Sequence, residues 1–279
     1  MNNLRSSLDS SGTTPIAWPL RFWFLVELFF ALSASLSVAL HPAATATNFA
    51  WTIKPEVMAA TIGAFYASLA PVVVLVILAR NWESVRVFVT AGMVFTLAQL
   101  VVTFLHWDRF AVGTAPFNIW FASYLLPPPV FLACYLWQQR RVAASSMPNP
   151  LAKWVWWSLV VLGAWFTLEA VMGLVWPSWF TEWAPWRITP LNARALGGYY
   201  LLLGLMLLAM ARENDADRVR VVSPFLILLL PVLAFQINRF ADQVDGQHPR
   251  LILSALLLGW VAVLGLHLVR GSWRRALGW

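Results

Sequence analysis

Two glutamates in this chain sit where carboxylates are costly. Glu27 and Glu169 each interrupt a long apolar stretch, and a charge in lipid costs roughly 2.5–3.5 kcal/mol on insertion scales. Each therefore needs a cation, a proton or a ligand. Arg21 or Arg80 is within reach for Glu27, and Arg194 or Arg239 for Glu169; the alternative for Glu169 is protonation by desolvation. Thr96, Gln99, Thr103 and His106 form a second polar group. Their spacing of 3, 4 and 3 confines them to an arc of about 80° on a helix, and Asp108 and Arg109 follow at its end. Such a stripe either hydrogen-bonds a neighbouring helix or lines a polar path.

Familiar catalytic chemistry is missing. There is no Gly-Xaa-Ser-Xaa-Gly elbow, phosphate-binding Gly-Lys-Ser/Thr loop or His-Glu-Xaa-Xaa-His helix. The only cysteine is Cys134, and the histidines are His41, His106, His248 and His267. His106 and His267 fall at opposite ends of their apolar runs, which argues against a haem held between them. We therefore expect no catalytic residue, no metal and no cofactor. The net charge of +7 is scattered along the loops, so nucleic acid is not an expected partner either.

Sixty per cent of the residues are hydrophobic and 11% are charged, too few charges for a water-facing surface. Eight apolar runs are long enough to cross a bilayer as helices: Phe22–Leu40, Met58–Ala79, Val87–Leu105, Phe117–Trp137, Trp154–Trp176, Ala195–Ala211, Val221–Ile237 and Leu251–Val269. Strand alternation is absent. The expected fold is all-α, integral to a membrane, with eight transmembrane helices. With eight spans, 13 basic residues fall on the side of the termini and 6 on the other, which predicts cytoplasmic termini in a bacterial inner membrane. Arg21, the first apolar run and Ala44-Thr45-Ala46 imitate a secretory signal, but the run is long and Glu27 interrupts it, so a retained first helix is expected.

The chain also repeats itself. At an offset of 135, Pro42, Trp51, Ile53, Pro55, Ala60 and Gly63 meet Pro177, Trp186, Ile188, Pro190, Ala195 and Gly198. Further on, Val85-Arg86 answers Val219-Arg220, and HWDRF at 106–110 answers QINRF at 236–240. An even number of helices per repeat gives both halves the same orientation. The expected organisation is a cytoplasmic tail (1–17), a first repeat (18–137), a linker (138–153), a second repeat (154–270) and a cytoplasmic tail (271–279). The second half, from PLNARALGGYYLLLGLMLLAMAR through QINRF and DQVDG to the last helix, resembles small bacterial DoxX-like four-helix membrane proteins. That resemblance covers about the last 90 residues, with a fainter echo in the first half. It implies a fold and carries over no catalytic residue.

Most of the 18 tryptophans fall near predicted span ends, as interfacial anchors do. Trp176, Trp179, Trp183 and Trp186, spaced 3, 4 and 3, suggest one short helix flat in the outer interface; covering the mouth of a site is the sharper reading. Pro127, Pro128 and Pro129 must break the fourth span, leaving either a static kink or a substrate-lining discontinuity. Together these features suggest a non-enzymatic protein binding a lipid-like or isoprenoid-like molecule near the outer face, with membrane lipids as its other partners. The expected ligand-binding residues are Arg109 and Arg239 for a polar headgroup, with Gln99, Thr103, His106, Asp108, Glu169 and Trp186. A proton-linked transporter using Glu169, or a structural subunit of a membrane complex, are the alternatives.

Overall fold

The computed structural model describes residues 14–141 and 149–278. Most of the expected N-terminal tail, the middle of the expected linker and Trp279 lie outside the described residues. Among the described residues the chain is helical, and its one β contact is an isolated bridge between Pro15 and Asn81.

Helix α1 (Trp18–Ala34) runs into a π-helical turn at Ser35–Leu40 and is followed by the short α2 (Thr45–Asn48). The first half continues with α3 (Glu56–Leu78), α4 (Trp82–Leu105), α5 (Ala115–Leu125) and α6 (Pro127–Gln139). The second holds α7 (Lys153–Val175), α8 (Ser178–Thr181), α9 (Pro190–Glu213), α10 (Ala216–Val219), α11 (Ser223–Arg239), α12 (Pro249–Leu268) and α13 (Trp273–Leu277). Among the described residues, seven helical segments are long and apolar enough to cross a membrane: α1 with its π turn, α3, α4, α5–α6 taken together, α7, α9 and α12. The seventh expected run, Val221–Ile237, forms α11, a shorter apolar helix of 17 residues. At about 1.5 Å per residue it is about 26 Å long, a little under the roughly 30 Å hydrocarbon core.

Local chemistry sets the helix ends. Thr189 accepts a hydrogen bond from the Asn192 N–H and Pro190 opens the first turn of α9, where its missing donor costs nothing. Asn214 ends that helix in the left-handed region at φ 45°. The triple proline does break its span, but between helices rather than inside one. Pro127, Pro128 and Pro129 occupy the first turn of α6, and the Leu126 N–H still bonds back to Ala122 at 3.1 Å. Gln138 and Gln139 form the last turn of α6. Buried Gln138 accepts from the Ala17 N–H at 2.9 Å and donates to the Pro15 carbonyl, fastening the start of α1.

Helices α3, α4 and α9 bury more than half of their spans, whereas α1 and α12 each bury 22%. The core is thus a central group wrapped by outer helices, which expose Phe22, Leu25 and Phe29 on α1 and Ile252, Leu256 and Val263 on α12. Lipid-facing helices carry this kind of outward apolar surface. The broadest contact joins α7 to α9, where Gly163 and Gly204 let the backbones approach; a Cβ on Gly163 would lie 2.8 Å from Leu208. Two further contacts cross the chain's midpoint: α4 packs on α9, and α11 packs on α3.

Candidate ligand cavity

A cavity of about 370 Å³ opens among α3, α7, α9, α11 and α12. Its walls are mainly apolar: Phe65, Phe166, Leu196, Leu203, Leu233 and Leu258. The segment joining α8 to α9 contributes Pro185, Trp186 and Ile188. The polar groups on the lining are few, chiefly Thr61, Tyr200, Asn238, Arg250 and Ser254. A volume of this size with sparse polar points suits an amphipathic small molecule.

Arg250, in the first turn of α12, is the cationic point of the cavity. Its guanidinium pairs with Glu169 of α7, donates to the Trp179 carbonyl at 3.0 Å, and lies over the Phe180 ring, 4.5 Å from the centroid. Trp179 donates its indole N–H to the same carboxylate at 3.2 Å. The cationic partner of Glu169 is therefore Arg250, not Arg194 or Arg239. The sequence could not choose among arginines at the same end of the bundle; the closeness of α7 and α12 decides. Phe180 reaches this place because Gly173 is a glycine, since a Cβ there would collide with the ring.

The tryptophan-rich segment does not form one helix. Only Ser178–Thr181 is helical; Pro177 opens the turn, and Pro185 has no N–H to continue it. Trp176 and Trp183 are exposed and Trp179 binds Glu169, while Trp186 packs on the cavity wall with its buried indole N–H lacking a partner among the described residues. Trp51, which the sequence comparison pairs with Trp186, is 3% exposed and donates to Asn192 Oδ1 at 2.9 Å, so it is an internal strut and not an interfacial anchor.

Gln99, Thr103 and His106 of the polar stripe bind other helices, whereas Thr96 bonds within α4 and lines a smaller cavity of the first half. Gln99 donates to the Ala195 carbonyl of α9 at 3.0 Å, and a Cβ on Gly198 would press on its amide at 2.8 Å. Thr103 bonds back to the Gln99 carbonyl and accepts the Trp120 N–H at 2.9 Å. Thr96 bonds back to Gly92, and His106 Nε2 meets an Arg194 nitrogen at 2.9 Å. Burial and then the Arg194 charge hold the His106 imidazole below its ordinary range.

Arg109 and Asp108 form an exposed 3.0 Å pair, with side chains 71% and 73% accessible. Arg239 donates to the Ala39 carbonyl at 2.7 Å and to Gln236 at 2.6 Å. Of the eight residues expected from sequence, Trp186 lines the cavity and Glu169 adjoins it through Arg250. Gln99, Thr103, His106, Asp108, Arg109 and Arg239 lie outside its lining. The sequence reading missed Arg250, Tyr200 and Ser254; a lone Arg opening an apolar run was the one available signal. Arg21, proposed for Glu27, instead donates to the Ile77 carbonyl at 3.3 Å.

Among the described residues, fold and cavity define a helical protein with seven helices long and apolar enough to span a membrane. Against known proteins, no family model, no curated protein and no solved structure matches the chain.

Proposed function

We propose that the chain crosses a bacterial inner membrane eight times, as two four-helix repeats of one orientation, and binds a lipid-like or isoprenoid-like molecule. The site is the cavity that α3 of the first repeat lines together with α7, α9, α11 and α12 of the second. The observation that carries this reading is a cavity of about 370 Å³ with apolar walls and a single arginine at one end. An acyl or prenyl body matches the walls, and a polar headgroup matches Arg250. The duplication draws support from the exchanged packing of α4 on α9 and α11 on α3. It also draws support from the turns that end α4 and α11. His106 (φ −125°, ψ 28°) and Phe240 (φ −127°, ψ 38°) share a backbone conformation, and a 3-10 turn follows each, a register four residues away from the HWDRF–QINRF match. Helix α11 belongs to the spanning set by this correspondence with α4, a slightly thinner local bilayer accommodating its length.

Native mass spectrometry of the protein extracted gently with its own lipids tests the reading. A discrete adduct of one molecule per chain is expected in the wild type, and Ser254→Phe, which fills the cavity, should remove it. A bare polypeptide, or an adduct indifferent to Ser254→Phe, would overturn the assignment. The proton-linked transporter reading draws less support, because Glu169 already holds Arg250 and Trp179.

A further inference from the structure

A groove of about 410 Å³ lies between α4, α6 and α9, with Arg218 of α10 on its lining. It shares no lining residue with the site proposed above. Its polar part lies where α4 begins and α6 and α9 end. The chain's described termini meet the same end of the bundle: the Ile16 N–H donates to the Arg80 carbonyl at 3.0 Å, and the Arg80 N–H to the Leu277 carbonyl at 2.8 Å.

Three arginines line the groove, Arg86, Arg212 and Arg218, against one carboxylate, Glu213. Glu213 joins them in one place. It accepts from Arg86 Nε at 2.7 Å and Nη2 at 2.5 Å, Arg218 lies 3.7 Å away, and Arg212 precedes it in the chain. The Gln139 side-chain oxygen accepts from Arg86 at 3.3 Å and from the Trp82 indole at 3.4 Å, which turns its amide nitrogen outward as a donor. Arg212 is exposed, and its guanidinium has no partner among the described residues. Two acids nearby have their own partners. Glu83 accepts from the Thr14 N–H at 3.4 Å, and Asp215 caps α10 and pairs with Arg218 at 3.5 Å; neither lines the groove.

The carboxylate and amide oxygens of the lining are thus taken up by arginine, while donors and a surplus of positive charge remain. That asymmetry selects an anion, and guanidinium groups match the oxygens of a phosphate. One to two turns deeper the lining becomes apolar, with Ala91, Val94, Leu205, Leu208 and Ala209. Val94 is 37% exposed, so this part opens sideways on the surface of the bundle. A free phosphate has no use for that apolar part, whereas an acyl chain does. We propose that the groove binds an anionic phospholipid, its phosphate at Arg212 and Arg86 and the start of an acyl chain along α4 and α9. Basic pockets between spans hold anionic headgroups in this way.

Native mass spectrometry of the full chain in detergent micelles, titrated with dioleoylphosphatidylglycerol or dioleoylphosphatidylcholine, tests this. A Ser254→Phe background keeps the larger cavity from contributing, so the result does not depend on what that cavity binds. One phosphatidylglycerol per chain is expected, bound roughly fivefold or more tighter than phosphatidylcholine, the value of one basic residue at an anionic surface. Arg212→Gln should lose this preference, and Ala209→Phe, which fills the apolar part, should weaken both lipids. Arg274→Gln, which removes an exposed arginine outside the lining, should change neither. Equal affinity for the two lipids, an unchanged preference in Arg212→Gln, or an equal loss in Arg274→Gln would each overturn the proposal. Displacement of phosphatidylglycerol by millimolar inorganic phosphate, or its undiminished binding to Ala209→Phe, would overturn the lipid and leave a site for free phosphate.

Discussion

Position His106 joins chemistry to stability. Neutral imidazole accepts from Arg194 across the α4–α9 contact, whereas imidazolium would face that guanidinium as a like charge. Burial, followed by the Arg194 charge, lowers its pKa in the folded protein, while the unfolded chain takes up a proton near the ordinary value of about 6.5. The folded state then binds fewer protons in that range. The contribution of His106 to stability is complete above about pH 6.5 and is lost as pH falls below it. Thermal unfolding in micelles from about pH 8 to about pH 5 should show this decline, and His106→Gln, which keeps an acceptor, should flatten it. An unchanged acid dependence in that variant would show that His106 is not the titrating group.

Among the elements, α7 and α12 meet through one ion pair near the open cavity. The Glu169 and Arg250 side chains are 15% and 16% accessible, so deleting either partner leaves the other poorly solvated. Arg250→Gln or Glu169→Gln alone should cost on the order of 3 kcal/mol, and the double variant should recover part of that loss. Reversible unfolding in mixed detergent micelles measures the cycle. Additive single effects would show that the pair is not coupled. The same pair shows what the sequence made visible. Glu169 stood out because a carboxylate in an apolar run needs a partner; Arg250 did not, because which arginine reaches it depends on how α12 is placed against α7. The α4 stripe was equally visible, yet period alone cannot say whether one face meets a cavity or a helix. Gly198 on α9 decides that, by letting the Gln99 amide come close enough to bond Ala195.

For the whole molecule, the segment between α7 and α9 and the chain termini should lie on opposite sides of the membrane, with the termini cytoplasmic. A cysteine at Ser178, in a chain with Cys134→Ser, should react with an impermeant maleimide added to intact cells. Labelling only after the cytoplasmic side is opened would reverse the orientation. The two halves also differ in how their interiors are filled. In the first, Trp51, Phe49 and Trp120 pack within 5.4 Å of one another by ring centroid and leave a cavity of about 120 Å³. In the second, Trp186 stays at the wall of a space of about 370 Å³, which α3 of the first half also lines.

Apolar run length and the scarcity of charge determined from sequence that the chain is helical and suited to a membrane, because backbone polar groups in lipid must be satisfied within each segment. The triple proline likewise marked a break, which falls at Pro127. Which side chains converge was decided only by tertiary structure. Arg250 and Glu169 are 81 residues apart, and Gln99 and Ala195 are 96 apart. Contacts at such separations depend on which helix faces pack together, and in spans that are apolar all round no periodic pattern marks the inward face.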